Sequence, residues 1–169
     1  ADDPRSLQRC AANKPDTLPF LAAALARHVE EYPAAATGLT RTEAQILSLV
    51  ADGVTNPVDV FRQNMGLETA LFMGDAPTFT HIARLCNATP PLLACTSPPF
   101  RYPPAHAINR DALRAQRLAI TEAGQDVLDG HRSAIDMIDR DQWLGGVHLK
   151  SDADLWVRND RGDLIRQAA

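Results

Sequence analysis

Six of the chain's twelve prolines fall between residues 90 and 104, at Pro90, Pro91, Pro98, Pro99, Pro103 and Pro104. Proline lacks an amide hydrogen and fixes its own φ, so neither a helix interior nor a central strand can cross such a stretch. The cluster divides the chain into a helical part before it and a part of different period after it. It predicts an extended loop between two apolar runs of strand length, Leu92-Leu93-Ala94-Cys95 and Arg117-Leu118-Ala119-Ile120.

Before the prolines the period is helical. Asp3-Pro4 opens a short piece to about Ala12, broken at Lys14-Pro15. Asp16 or Thr17 then caps a helix whose stripe is Leu18, Phe20, Leu21, Leu25 and Val29, ending before Pro33. Past the linker 34–38, Thr40-Arg41-Thr42-Glu43 is a capping box, in which the Thr40 hydroxyl and the Glu43 carboxylate satisfy free amides. That helix carries Ile46, Leu47 and Val50 and stops at Asp52-Gly53, while Asn56-Pro57 opens the next one to Gly66. A third runs from about Asp75 or Pro77 to Asn87, with Phe79, Ile82, Ala83, Leu85 and Cys86 on its apolar side.

After the prolines, Thr121-Glu122-Ala123-Gly124 starts a helix to Gly130. The final stretch holds both tryptophans, a turn at Gly145-Gly146, and short strands around 147–149 and 155–157. These elements predict a mainly α fold with a small β-hairpin. Three units are expected: an N-terminal helical segment over 1–37, a core over 38–131 and a C-terminal extension over 132–169.

Helix, helix, helix, hairpin with a long tip, helix is the order of a winged helix-turn-helix. The string Leu118-Ala119-Ile120-Thr121-Glu122-Ala123-Gly124-Gln125-Asp126-Val127-Leu128 resembles the second wing strand and following helix of many bacterial winged-helix regulators. Gly38-Leu39-Thr40-Arg41-Thr42-Glu43, Phe72-Met73-Gly74-Asp75 and 141–149 further resemble the C-terminal half of a family of uncharacterised bacterial proteins. The resemblance implies a winged-helix core and a preceding domain of unknown function, and it brings no chemistry. The chain begins without Met and passes straight into helix-like sequence, which fits the expectation of a missing preceding domain.

Composition limits the function. The net charge of −4 works against general affinity for nucleic acid, because neutralising phosphates needs clustered Lys and Arg. Residues 101–120 are the exception, with Arg101, Arg110, Arg114 and Arg117 against Asp111 alone. No apolar run is long enough to span a membrane and the acidic start is unlike a signal peptide, so a cytoplasmic protein is expected. Cys10, Cys86 and Cys95 form no close-spaced thiolate motif and read as buried apolar thiols.

As a DNA reader, the helix over 77–88 would turn Thr78, Thr80, His81, Arg84 and Asn87 outward, types that hydrogen-bond base edges or phosphates. Arg101, Tyr102, His106, Arg110 and Arg114 would follow from the wing. The connection from Gly66 to Asp75 is longer than a tight turn, and Leu67, Leu71, Phe72 and Met73 make it apolar. A transcriptional regulator on double-stranded DNA and a protein-interaction or homodimerisation module therefore both stay open.

An enzyme has the least support. His28 beside Glu30 and Glu31 reads as solvated, His106 lacks an acid or thiol neighbour, and His131 suits a helix end. The late carboxylates, Asp136, Asp139, Asp141, Asp152 and Asp154, lack the pattern of a calcium loop. No phosphate loop, paired Cys-x-x-Cys or nucleophile elbow occurs, so no catalytic residue, metal or cofactor is expected. The partner or ligand candidate is Asp141, Trp143, Gly145, Gly146 and His148. In that reading Trp143, Leu144, Val147 and Leu149 dock on the helices over 18–29 and 121–129, leaving His148 outward beside Asp141.

Overall fold

Local capping sets most of the elements. Helices α1 (Arg5–Ala12), α2 (Leu21–Val29), α3 (Arg41–Ala51), α4 (Pro57–Gly66) and α5 (Asp75–Asn87) come first. Strand β1 (Leu93–Cys95), helix α6 (Arg110–Ala115), strand β2 (Leu118–Ile120) and helix α7 (Glu122–Leu128) follow. The last third holds β3 (Asp141–Leu144), β4 (Val147–Lys150), β5 (Leu155–Arg158) and β6 (Leu164–Gln167). The computed structural model describes residues 3–13, 17–97, 99–100, 110–151 and 154–167. Among these the chain is mainly α, as expected, with three small antiparallel two-stranded hairpins, β1-β2, β3-β4 and β5-β6, the last two built from the short strands of the C-terminal extension.

Thr40 Oγ1 accepts from Glu43 N at 3.1 Å and Glu43 Oε2 accepts from Thr40 N at 2.9 Å, completing the capping box of α3. Asn56 Oδ1 accepts from Val58 N at 3.0 Å, with Pro57 at the first helical position, where its missing N–H costs nothing. Thr121 caps α7 through Gly124 N at 3.0 Å. Two elements differ from expectation. Helix α2 starts at Leu21, because Pro19 disfavours a helical Leu18, so Leu18 and Phe20 are 56% and 83% exposed instead of lining the stripe. The connection between β1 and β2 is not wholly extended, since α6 forms once the prolines are passed.

Two apolar cores result. The first gathers Ile46, Leu47 and Val50 of α3, Val60 of α4, Phe79, Ile82 and Leu85 of α5, Leu93, Leu118 and Val127, with Ala134 and Ile138. The second joins Val29 and Tyr32 to Val147, Leu149, Leu155, Trp156, Val157 and Leu164, with Leu7 of α1 against it. Ile135 packs on the second core while its neighbours Ala134 and Ile138 belong to the first. Backbone bonds knit the seam, with Arg158 N donating to Pro33 O at 2.7 Å and Ala35 N to Arg158 O at 2.8 Å.

The C-terminal extension therefore docks on α1, the end of α2 and residues 32–35, and its core excludes α7, contrary to the expected packing on residues 121–129. Leu144, Val147 and Leu149 face that core, but Trp143 does not: it is 70% exposed. The reason is the strand period of two, which puts Trp143 and Leu144 on opposite faces. The register pairs Trp143 with His148 on the outer face and Gln142 with Leu149 on the inner one. Gly145 and Gly146, at φ 57° and 83°, make the two-residue turn between them, a backbone that side chains disfavour at both positions. Tyr32 closes the hairpin from within, its hydroxyl donating to Leu144 O at 2.9 Å. Burial pushes that phenol up to about 12.

Candidate functional site

Of the five α5 positions expected to face outward, the structure leaves Thr80 and Asn87 on the surface. Thr78 and His81 turn inward, 1% and 7% exposed. Helix α5 packs against α3, α4 and β1, so its buried arc takes in Thr78, Phe79, His81, Ile82 and Leu85, wider than the apolar residues alone mark out. The Thr78 hydroxyl is satisfied by donating back to Gly74 O at 2.9 Å. His81 lies with Nδ1 3.3 Å from Glu43 Oε1 and Nε2 3.7 Å from Glu31 Oε2. Arg84 is partly buried, and burial lowers its pKa despite nearby Glu43 and Glu31. The cation expected to face outward from this helix is thus partly withdrawn from the surface.

That cluster grows from the capping box. Placing Glu43 at the third position of α3 leaves both its oxygens in reach of Arg140, which donates from Nη1 to Oε1 at 3.1 Å and from Nη2 to Oε2 at 2.8 Å. The guanidinium also donates to Gly38 O at 2.7 Å, and both charged side chains are fully buried. Around His81 the arrangement continues into Glu31, whose Oε1 accepts from Thr42 Oγ1 and from Arg27 Nη1, each at 2.6 Å. Arg27 also donates to both oxygens of Glu68, at 2.9 and 2.7 Å, and its guanidinium lies over the Phe72 ring, 3.9 Å from the centroid. The long connection between α4 and α5 is thereby tethered to α2.

Burial alone would raise the Glu43 carboxyl, but Arg140, with help from His81, holds it far below the ordinary carboxylate range. Burial also opposes ionisation of Glu68, and Arg27 again wins, lowering it. A carboxyl depressed in the folded state contributes stability that is fully present above its unfolded pKa, near 4.5 for both residues, and that is lost as pH falls through the folded value. Melting temperature is therefore expected to decline gently below about pH 6.5, where unfolded His28 takes up a proton that the half-buried imidazole resists, and more steeply below about 4.5. A melting temperature constant down to pH 3 in a thermal series followed by circular dichroism would contradict this.

Of the residues expected on a wing, Arg114 is exposed on α6. Arg101, Tyr102 and His106 lie outside the described residues; Arg110 opens α6, but its side chain lies outside them too. Asn56 ties α6 to the start of α4, its Nδ2 donating to Arg114 O at 2.6 Å. Beside this tie a groove of about 530 Å³ is lined by Thr55, Asn56, Arg62, Gln63 and Arg117. No protein-family model, curated protein or solved structure matches the chain.

The hairpin candidate is partly as expected. His148 Nε2 sits 2.5 Å from Asp141 Oδ1 on the outer face, and this bond is the main cause lowering the Asp141 carboxyl. Instead of docking, Trp143 stacks on the His148 ring, with centroids 4.7 Å apart and planes 10° from parallel. Gly145 faces inward enough to lie near His28, which is half-buried rather than solvated, and burial lowers that imidazole's pKa. His131 is exposed. Among the described residues no group of three or more His, Cys, Asp and Glu is placed to hold a metal ion, and no helix is long and apolar enough to cross a membrane.

Proposed function

We propose that residues 38–131 form a winged-helix module whose helical face serves contact with protein rather than the reading of DNA bases. Support for the winged helix comes from the order α3, α4, α5, β1, β2, α7. It also comes from Leu118 N donating to Thr55 O at 2.8 Å, which sets the chain between α3 and α4 beside the hairpin as a third strand would be.

The observation that carries the choice of partner is the burial of Thr78 and His81, with Arg84 itself partly buried. What α5 keeps exposed in its middle and last turns, Thr80 and Asn87, holds no charge, and phosphate contact requires clustered cations. In the connection that leads into α5, Leu67 and Leu71 are 51% and 83% exposed. Large apolar side chains left exposed are a feature of protein-contact surfaces. A second copy of the chain is included among such partners.

One observation favours a second reading, contact with a duplex backbone through the wing: Arg114 and Arg117 are exposed on the wing, and Arg62 lies across the groove from Arg117. Fluorescence anisotropy on random-sequence duplex, at low and moderate salt, separates the two. No titratable binding at low salt is expected. Salt-sensitive binding that weakens in Arg114→Ala and Arg117→Ala would replace the protein-contact reading with the wing reading.

A further inference from the structure

Helices α1 and α2 and the hairpin β5-β6 border a cavity of about 250 Å³, lined by Gln8 and Ala11 of α1, Ala26, Val29 and Glu30 at α2, and Arg158 of β5. None of these residues belongs to 38–131. Side chains alternate along a strand, so Arg158 shares the face of β5 that carries Trp156. Helix α1 lies across that face, with the Arg5 guanidinium 5.5 Å from the Trp156 ring centre. Gln8 fastens α1 there, its Nε2 donating to Gly162 O at 2.7 Å and its Oε1 accepting from Leu164 N at 3.1 Å. The backbone of Arg158 is fixed as well, its N–H donating to Pro33 O and its carbonyl accepting from Ala35 N. Its side chain is not satisfied: Nε is buried and meets no hydrogen-bond acceptor among the described residues. Glu30 is the carboxylate of the lining, yet it is engaged by Arg41, whose Nη1 donates to Oε2 at 2.7 Å. A buried donor on a charged group costs free energy while it lacks a partner, and the partner whose geometry matches a guanidinium edge is a carboxylate.

We propose that this cavity is a binding site for a small carboxylate, with Arg158 taking the carboxyl group through Nε and an adjoining Nη while a short aliphatic body lies against Ala11, Ala26 and Val29. Size sets the class. The volume is below the range of about 300–1,000 Å³ found for sites of drug-sized ligands, so it suits an acid of a few carbons. Charge narrows it further, because Glu30 in the same lining repels a second negative charge and favours a monoanion over phosphate. The apolar side chains of the lining add the contact area that a carboxylate alone would not use. The site stands apart from the winged-helix face and does not depend on how that face is used.

The test is titration of the full chain with sodium butyrate, followed residue by residue in nitrogen–proton correlation spectra. Saturable shifts centred on the amides of Ala11, Val29, Arg158 and Gly162 are expected at millimolar acid. Butyramide, which has the same shape without the charge, should bind about tenfold or more weakly, the loss expected when a charged hydrogen bond is removed. Arg158→Gln should weaken butyrate by a similar factor, and if that variant folds poorly the comparison of butyrate with butyramide on the wild-type chain still decides. An acetylated dipeptide ending in valine identifies the source of the carboxylate. Tighter binding than butyrate assigns it to the terminus of a partner peptide, weaker binding assigns it to a free acid, and both support the site. No saturable shift, equal binding of butyrate and butyramide, tighter binding of inorganic phosphate, or shifts that map away from this cavity would each overturn the proposal.

Discussion

Replacing Arg140 with Met is expected to lower the stability of the chain by about 3–5 kcal/mol, the range for removing one partner of a buried ion pair. The substitution removes the Arg140 donors from both Glu43 oxygens and from Gly38 O at once in a fully buried site, leaving Glu43 only Thr40 N at Oε2 and His81 Nδ1 near Oε1. The loss comes less from the attraction given up than from the orphaned Glu43 carboxylate, which must either stay charged in apolar surroundings or take up a proton. Exchanging both partners for apolar residues, Glu43→Met with Arg140→Met, is expected to cost less than the sum of the two single changes. Urea unfolding of the four proteins gives the coupling. Strict additivity would show that the pair is not acting as a pair.

Gly38→Ala has the second largest expected effect, again about 3–5 kcal/mol, from left-handed backbone strain together with overpacking. Gly38 sits at φ 72°, and a Cβ built there would lie 2.3 Å from Ile135 N and 2.8 Å from Ala134 C. These are backbone atoms, so no side-chain rotation relieves the clash. They are also the atoms where the two cores adjoin, and Ala134 N is held in place by donating to Thr37 O at 2.8 Å. Gly66→Ala on α4, where nothing approaches within 4 Å, is the control and should change stability little. Equal losses for the two variants in urea titrations would remove the crowding argument.

Features decided within a few residues were legible in the sequence. The capping box at Thr40 and Glu43, the Asn56-Pro57 start, the runs that became β1 and β2, and the Gly145-Gly146 turn each depend on local chemistry alone. The strand β6 was not, because Leu164–Gln167 is short and only half apolar and takes its place by pairing with β5. The helix α6 was hidden by the prolines that precede it.

The candidate site was legible in its residue types and misread in its directions. Apolar periodicity cannot see a polar side chain that is buried by a distant charge, and His81 faces inward because Glu31 and Glu43 meet it from other elements. Glu31, next to His28 at a helix end, has the local appearance of a solvated residue, yet it is 4% exposed once Arg27 and Thr42 close on it. Arg140 stands 97 residues from Glu43, with no local signal of its partner. Trp143 was misplaced for a different reason: its size argued for burial, while the alternation of β3 assigned the inner face to its neighbours.

The position of Arg140 also bears on where this molecule can be divided. Chain order suggests a module ending at about residue 131, yet the counter-ion of Glu43, a residue in the first turn of that module's first helix, arrives from beyond this boundary. Cutting there would excise a positive charge from the middle of the piece retained. The stretch 38–131 is thus not autonomous, and as an isolated fragment it would carry Glu43 without its Arg140 counter-ion at its centre.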